Sequence, residues 1–536
     1  MVKIINRQLA VLAVFTLLAF AAGAYPTSNY ATTSQLATGH WVKIAIPADG
    51  IYQLTIAELS AMGFPDINRV KIYGYGGHML NEPFTGTEHN DIEQIPTLIF
   101  RDKLCFYANG PLEMTFDVSD NNPYFLRRVN AYSTHGYYFV TEGDGPRRIR
   151  NFEWSTGTST HNYRTSYNWF LHERELTSLT NMGKDLLGES LMDESCYINY
   201  EMPNISSNKV MLQTNLAVES SSTSTGSDYY SLMSVSILSN GSIVPVNYSS
   251  TIIKPTTGAH YTVANARASV TLPSLEETGQ VKVDKVVTQP AGSSVVTVKT
   301  CNLDYLLLSY EQKNSLMGAE YNQQKLYIPQ ILIGDTIAVE KASSSVVLWN
   351  LDGPYPIGLA SKNADGGTVL FSSPLSQNAA SFVAFDPTME LRSISGYEEV
   401  ANQNIHAMQT PDFIIVTNSD YIEAAEALAT LHHNHEGMDV LVVSQDEVFN
   451  EFSSGTPDAM AVRLMCKMFY DRNPQKLKYL LMMGQGTFDN RKLVSNKPGT
   501  VITYETDDSN SESTCYASDD VFGILDDGSG RKFSSE

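Results

Sequence analysis

Thiols and imidazoles are the side chains of this sequence that could carry out covalent chemistry together. Cys466 follows a group of three histidines, His432, His433 and His435. A thiolate activated by a neighbouring imidazole is the minimum for nucleophilic catalysis. However, Cys466 lies within the periodic apolar stretch 462–469, whereas reactive thiols lie at helix N-termini or beside cations. We therefore predict that Cys466 packs in the core, and that the histidines interact with the C-terminal dipole of the preceding helix.

Cys515 is the thiol that we expect to be exposed. The carboxylates of Glu512, Asp519 and Asp520 should raise the pKa of this thiol, because nearby negative charge opposes thiolate formation. The five cysteines are few, widely spaced and odd in number, so they predict no disulfide framework. No CxxC pair is present, which argues against zinc-ribbon and thioredoxin-type sites. We expect most of these thiols to be buried as small apolar side chains.

An acidic segment near the C-terminus could bind a hard cation. Residues 505–527 contain eight acids among 23 residues, without Lys or Arg. Carboxylate oxygens suit Ca²⁺, and if calcium binds here we expect Asp519 and Asp520 among its ligands. EF-hand spacing is absent, and a solvated acidic loop is the alternative that we favour. We expect no required cofactor. The acids are Glu505, Asp507, Asp508, Glu512, Asp519, Asp520, Asp526 and Asp527.

After Asp412 the sequence alternates buried strands with helices. Strands are predicted at 413–417, 439–443 and 479–483, with helices at about 419–433 and 456–470. Gly437 should end the first helix, and Pro457 should lie in the first turn of the second. This alternation predicts a parallel sheet whose ligand crevice lies beyond the carboxyl ends of its strands. Those ends are Thr417-Asn418, Ser444-Gln445 and Gly484-Gln485-Gly486.

The preceding regions are predicted to be β-rich. Short strands and tight turns indicate an N-terminal domain at 25–150, followed by an antiparallel sandwich or barrel at 151–400. The α/β region then occupies 411–536. The glycines at 74–77 follow a strand, but no Lys-Ser/Thr and no amphipathic helix follow them, so we favour a sharp turn over a phosphate loop.

The first 24 residues have the features of a secretory signal peptide. Lys3 and Arg7 precede an apolar run from Leu9 to Ala22, and small residues end at Ala24, where we predict cleavage. An uncleaved membrane anchor is the alternative, although the run is short for a bilayer. The whole chain has 536 residues and a formal charge of -22, with 42% hydrophobic residues, which excludes disordered, collagen-like and polytopic membrane proteins. Its acidity disfavours nucleic acid as a partner.

Several ordered motifs resemble the opening half of a gingipain-type cysteine peptidase domain. Upstream motifs resemble the N-terminal region of the PorU-like sortases of type IX secretion, so that the resemblance runs from about residue 40 to the end. The first group comprises Gly455-Thr456-Pro457-Asp458-Ala459, residues 479–490 (YLLMMGQGTFDN) and residues 518–523 (SDDVFG). The second comprises residues 70–77 (VKIYGYGG), 130–138 (NAYSTHGYY), 183–189 (GKDLLGE) and 402–406 (NQNIH).

This resemblance implies a surface-associated cysteine peptidase of the outer membrane in Bacteroidetes-type bacteria. Members remove the C-terminal sorting domain of secreted cargo and join the new carboxyl end to lipopolysaccharide, in contact with outer-membrane secretion components. In the family a catalytic His precedes the catalytic Cys, and both follow the SDDxFG segment. We therefore expect the dyad beyond Glu536, no catalytic residue within the chain, and little activity of the chain alone.

Two other functions remain open. One is a non-catalytic exported module that docks onto the secretion machinery. The other is an unrelated exported β-rich adhesin, which the ordered motifs disfavour.

Overall fold

The computed structural model describes nine stretches of the chain. They are residues 30–118, 123–157, 161–222, 231–246, 261–288, 296–364, 366–497, 499–509 and 514–526. The signal peptide predicted at 1–24 lies outside these residues. Among the described helices, none combines the length and apolar character needed to cross a bilayer.

The N-terminal region contains two antiparallel sheets that share one apolar core. In spatial order the larger sheet comprises Gly396–Val400, Trp41–Ile46, Gly136–Glu142, Val70–Tyr73 and Gln94–Ile95. The smaller comprises Gly50–Thr55, Lys103–Ala108 and Leu98–Phe100. A separate hairpin is formed by Leu112–Asp117 and Tyr124–Val129.

Local sequence explains how these elements form. In Trp41–Ile46 the fully buried Val42, Ile44 and Ile46 alternate with more exposed residues, as expected for a strand with one face in the core. The helix Ile56–Ala61, which was not predicted, begins with a reciprocal capping box between Thr55 and Glu58.

The central region is a large antiparallel sheet covered by two smaller ones. Opposite halves of the large sheet form separate cores with the two smaller sheets, so the predicted sandwich is confirmed. In order the large sheet comprises Thr262–Thr271, Ile205–Ser222, Val296–Lys313, Thr165–Glu173, Gln323–Ile331, Gln377–Phe385, Val347–Asn350 and Ile357–Gly358. One covering sheet comprises Cys196–Glu201, Thr278–Thr288, Ser231–Ser239 and Ser242–Pro245. The other comprises Asn162–Tyr163, Thr336–Val339, Thr368–Ser372 and Ser361–Ala364.

The strand Gly396–Val400 returns the chain to the N-terminal sheet. It pairs antiparallel with Trp41–Ile46, from Trp41 opposite Val400 to Ala45 opposite Gly396. The predicted boundary at residue 400 groups this strand with the central region, whereas its hydrogen bonds place it in the N-terminal sheet. The α/β region that follows therefore starts from the N-terminal sheet.

The α/β region has the predicted parallel sheet. Its strands are, in order, Val440–Ser444, Phe413–Thr417 and Tyr479–Met483. All five residues of the central strand are buried, as expected for a strand covered on both faces. The helices are Ile422–Glu436, Gln445–Phe452 and Ala459–Arg472.

Helix boundaries follow the expected capping chemistry with one correction. Gly437 ends the first helix at a left-handed φ of 67°, as predicted. The second helix, which was not predicted, begins with a capping box between Ser444 and Glu447. The third begins at Ala459 with Asp458 as its N-cap, so Pro457 precedes the cap and does not lie in the first turn.

Candidate functional site

The carboxyl ends of the three parallel strands lie side by side. Thr417 pairs with both Ser444 and Met483, so the residues after each strand emerge at one edge of the sheet. The hydroxyl of Thr417 donates a hydrogen bond to the carbonyl of Met483 at 2.7 Å, which joins two of these ends directly. Ligands of open α/β sheets bind beyond this edge. It is therefore the candidate site, as the sequence predicted.

The loop after Met483 is fixed through its backbone. The amide of Gln485 donates to Thr500 Oγ1 at 2.7 Å, and the amide of Thr500 donates to the carbonyl of Gln485 at 2.8 Å. A Cβ at Gly484 would lie 2.6 Å from Thr500 Oγ1, so this approach requires glycine. The side chain of Gln445 accepts from the amide of Ile502 at 2.9 Å. The loop thus presents the exposed side chain of Gln485 at the edge.

Cys466 and the histidines do not form a catalytic pair. Cys466 is buried in the third helix, and burial raises the pKa of its thiol to about 12. His432 contacts Glu436 at 2.9 Å, and His433 contacts the carbonyl of Met438 at 3.1 Å. The packing interpretation of Cys466 is confirmed. The α/β region described here supplies no activated thiol.

The expectation of an exposed Cys515 is wrong. Only 5% of this residue is exposed, and its sulfur lies 3.7 Å from Thr180 Oγ1. Burial is the main cause of its raised pKa, and Glu505 and Asp508 add to it, in place of the expected neighbours. The thiol that remains partly exposed is Cys196. The other thiols, Cys105, Cys301 and Cys466, are buried as expected.

The predicted calcium ligands lie at the surface. Asp519 and Asp520 are exposed beside the single turn Asp520–Gly523, and the pKa of Asp519 is raised by partial burial and by Asp520. Asp507 of the same segment turns away and forms an ion pair with Lys184. The acids do not converge within the described residues, and the calcium site stays a prediction. Glu512 and Asp527 lie outside those residues.

The turn before the third helix is bound to the N-terminal region by two hydroxyl groups. Ser454 Oγ donates to the carbonyl of Tyr137 at 2.9 Å and accepts from the amide of Tyr75 at 3.1 Å. Thr456 Oγ1 donates to the carbonyl of Gly76 at 3.0 Å and accepts from the amide of Tyr137 at 3.2 Å. Two side chains thus satisfy four backbone groups of the N-terminal region. We call this interface, formed by residues 454–463 with residues 74–82 and 137, the junction.

The glycine run 74–77 allows this close approach. A Cβ at Gly74 would lie 2.4 Å from Ser454 Oγ, and the φ of Gly74 is 124°, a conformation that favours glycine. Residues 74–77 are followed by irregular chain and by no helix, which agrees with the turn interpretation. The glycines therefore serve packing across the junction, and the phosphate-loop alternative has no support.

Buried charged groups extend the junction. Asp458 is fully buried and accepts from the amides of Met460 and Leu80, each at 2.8 Å. Burial raises the pKa of Asp458 to about 6, although both hydrogen bonds oppose that shift. Arg463 is also fully buried and donates to the carbonyl of Glu82 at 2.5 Å. One carboxylate and one guanidinium thus connect the third helix to the segment after the glycine run.

His406 and Glu451 form a second buried connection. His406 Nδ1 lies 2.5 Å from Glu451 Oε2, and the ring stacks on Phe452 with centroids 4.6 Å apart. Glu451 Oε1 also accepts from the amide of Ile405 at 2.8 Å and from Gln403 Nε2 at 3.0 Å. This pair joins the segment that enters the α/β region to its second helix. The histidine of the NQNIH motif therefore has a structural partner.

The motif at 183–189 is bound to the acidic segment. Lys184 forms ion pairs with Glu82 and Asp507. Burial alone would lower the pKa of Lys184, but these two carboxylates raise it overall. Nearby, Glu505 is buried, and one of its carboxylate oxygens has no hydrogen-bond partner among the residues that the structure describes. Burial raises the pKa of Glu505 to about 9. The motifs quoted from the sequence thus meet at interfaces between regions.

Comparisons with known proteins support the resemblance. Residues 406–534 match the model of Peptidase family C25, the gingipain family. The chain is similar to dimeric latent PorU from Porphyromonas gingivalis, with 28% identity and a TM-score of 0.77. The match covers 93% of this chain and 47% of that chain, so this chain spans about half the length of that structure. The predicted resemblance and fold class are confirmed, and the fold is PorU-like.

The other comparisons add no further structural relative of this chain. The VP2 subviral particle of infectious bursal disease virus matches with 10% identity and a TM-score of 0.17, over 76% of this chain and 92% of that chain. The T=1 particle protein derived from infectious bursal virus gives 9% identity and a TM-score of 0.16, over 67% and 64%. Such scores carry no structural argument. Curated protein sequences gave no significant match.

Glu505 makes the stability of these interfaces pH-dependent. Its folded-state pKa of about 9 exceeds the ordinary 4.5, so the folded protein retains the proton more strongly than the unfolded chain. The stability contributed by this proton is complete below about pH 4.5 and is lost as the pH rises toward about 9. We expect Glu505→Gln to increase the free energy of unfolding at pH 8 by about 1 kcal/mol or more. The gain should vanish near pH 4.5.

Calorimetric unfolding of wild type and variant from pH 4.5 to 8 measures this difference. Glu426→Gln, an identical change at an exposed position of the first α/β helix, is the matched control and should show no pH-dependent gain. Parallel pH profiles for wild type and Glu505→Gln would contradict the assignment.

Proposed function

We propose, from the PorU-like fold and the family C25 match, that this chain provides the framework of a sortase-type cysteine peptidase. The observation that carries the proposal is the structural match to PorU across 93% of the chain. The proposed reaction removes the C-terminal sorting domain of a secreted cargo protein and transfers the new carboxyl end to lipopolysaccharide. In this role the described residues position the carboxyl edge of the parallel sheet, where cargo would lie.

The chemistry needs a thiolate, an imidazole and donors for a tetrahedral oxyanion. A thiolate attacks the scissile carbonyl and forms an acyl-enzyme, and an amine in place of water then converts hydrolysis into ligation. Cys466 and Cys515 do not suit this role, since both are buried with raised pKa values. We therefore propose that residues matching the family's His and Cys, which are not among those described, supply the dyad.

A second candidate function is a docking module without catalysis. The burial of the α/β thiols favours it, because such a module needs the fold but no nucleophile. In both functions the expected partners are cargo with a sorting domain and outer-membrane secretion components. Lipopolysaccharide is an acceptor only in the first. The charge of -22 argues against nucleic acid in either.

Export to the periplasm and cell surface is part of both proposals. It rests on the signal-peptide features of residues 1–24. Amino-terminal sequencing of the protein from an exporting host should begin at Tyr25. A mature protein that retains Met1 would contradict this expectation.

The chain of 536 residues should show no thiol-dependent peptidase activity by itself. We expect cargo bearing a sorting domain to remain intact over hours, with and without iodoacetamide, when analysed by mass spectrometry. The physical reason is that burial keeps Cys466 and Cys515 protonated at neutral pH. Iodoacetamide-sensitive cleavage that is lost in Cys466→Ala would identify this thiol as the nucleophile and reject the framework proposal.

Cargo binding should depend on the carboxyl edge of the sheet. Gln485→Arg places a long cation at the exposed tip of the loop after Met483, and we expect it to weaken binding of a sorting-domain protein at least about tenfold. Gln409→Arg is the matched control, since Gln409 is also exposed but precedes the amino end of the central strand. Calorimetric titration gives both affinities. Equal affinities for the two variants would place the cargo elsewhere.

A further inference from the structure

Three potential metal ligands lie together in the central region, far along the chain from the α/β sheet. They are His172, Glu189 and Cys196, and their ligand atoms all lie within 4.8 Å of one another. His172 Nε2 is 3.1 Å from Glu189 Oε1. All three residues are partly buried. The spacing His-x16-Glu-x6-Cys matches none of the usual motifs, so the sequence alone does not reveal this group.

Separate backbone hydrogen bonds fix each of the three residues. His172 lies in strand Thr165–Glu173, opposite Leu306 of the large sheet. The carbonyl of Glu189 accepts from the amide of Leu303 at 2.8 Å. Cys196 begins its strand opposite Val283 of a covering sheet. The group therefore joins the large sheet to one of the sheets that cover it, and its geometry is set by the fold.

The distances suit a small cation with tetrahedral coordination. Zinc bonds of about 2.0–2.3 Å to nitrogen, oxygen and sulfur place neighbouring ligand atoms about 3.3–3.8 Å apart. The separation between His172 Nε2 and Glu189 Oε1 is 3.1 Å, and all separations within the group are at most 4.8 Å, so the three ligand atoms are close enough to share one such ion. One imidazole, one carboxylate and one thiolate are typical donors for zinc, whereas calcium prefers oxygen alone.

An ordinary polar cluster is the competing explanation. Glu189 Oε1 accepts from His172 and also from Arg174, at 3.3 Å, so part of its charge is already compensated. However, Glu189 Oε2 is buried without a hydrogen-bond partner among the described residues. Burying a carboxylate oxygen without a hydrogen-bond partner costs folding free energy, and a cation bound to this oxygen would offset that cost. Arg174 is more than half exposed and could stay on the outer side of the carboxylate.

Cys196 differs from the other four cysteines in a way that fits a ligand. It is the partly exposed thiol of the five, whereas the other four are buried. A bound cation would displace the thiol proton to solvent and hold the sulfur as thiolate.

We propose that His172, Glu189 and Cys196 bind one zinc ion, with water in the fourth position. The ion would bridge the large sheet, the segment before Cys196 and one covering sheet. Binding would release the thiol proton and form Zn–N, Zn–O and Zn–S bonds, with no change in oxidation state. This proposal does not depend on the function proposed above.

Titration of the full chain with Co²⁺ and Zn²⁺ tests the proposal. Cobalt in such a site should give a thiolate-to-cobalt charge-transfer band and the visible bands of tetrahedral coordination, saturating at one equivalent. Zinc should displace the cobalt and abolish both the charge-transfer band and the visible bands, whereas excess Ca²⁺ should leave them unchanged. Cys196→Ser should remove the charge-transfer band, and His172→Ala should lower the affinity for zinc at least about tenfold.

Cys515→Ser is the matched control and should leave the cobalt spectrum unchanged, because Cys515 lies beside Thr180 and outside the cluster. Circular dichroism of each variant shows whether it has folded. If Cys196→Ser fails to fold, the cobalt titration of His172→Ala still tests the proposal, because loss of this ligand should weaken metal binding. Absence of stoichiometric cobalt binding by the wild-type chain, or an unchanged spectrum in folded Cys196→Ser, would overturn the proposal.

Discussion

The polar contacts across the junction are the constraint on which the arrangement of this molecule depends. Ser454 and Thr456 each donate and accept once, and their partners are backbone groups of the N-terminal region. Buried backbone groups need such partners, because leaving one unpaired costs about 1–3 kcal/mol. The α/β sheet is therefore held by its attachment to the N-terminal sheet as well as by its own core. The orientation of its carboxyl edge follows from the same attachment.

Charge burial is the consequence of joining these regions so closely. Burial raises the pKa of Asp458 to about 6 and the pKa of Glu505 to about 9. The charge of Lys184, whose side chain is largely buried, acts on both acids and opposes part of this rise in pKa. Removing one partner of a buried charged pair usually lowers protein stability by more than the intact pair contributes to it, because the remaining charge stays buried without compensation. Because their folded-state pKa values are raised, these acids make the stability of the interfaces fall as the pH rises.

Local patterns predicted much of the α/β region. Its strands, the cap at Gly437 and the burial of Cys466 follow from apolar runs, a left-handed cap and helical periodicity, which are properties of adjacent residues. The helix Gln445–Phe452 was missed because it is short, its apolar positions are few and it follows the strand Val440–Ser444 without a loop. The burial of Cys515 was not predicted because it involves residues distant in the chain, such as Thr180. No local pattern reports contacts between residues that are far apart in the chain. The hydrogen bonds of the junction join residues more than 300 positions apart, and the His406–Glu451 pair joins residues 45 positions apart. The His172 cluster is closer in sequence, but its spacing matches none of the usual motifs.

Amide hydrogen exchange in Thr456→Val tests the central role of the junction most directly. Valine keeps the shape of threonine but leaves the carbonyl of Gly76 and the amide of Tyr137 without their partner. We predict faster exchange at 453–460 and equally at 74–77 and 136–138, with no such change in Thr430→Val, whose hydroxyl bonds only within its own helix. Faster exchange confined to 453–460 would contradict the account, because it would mean that the two regions are held together by other contacts.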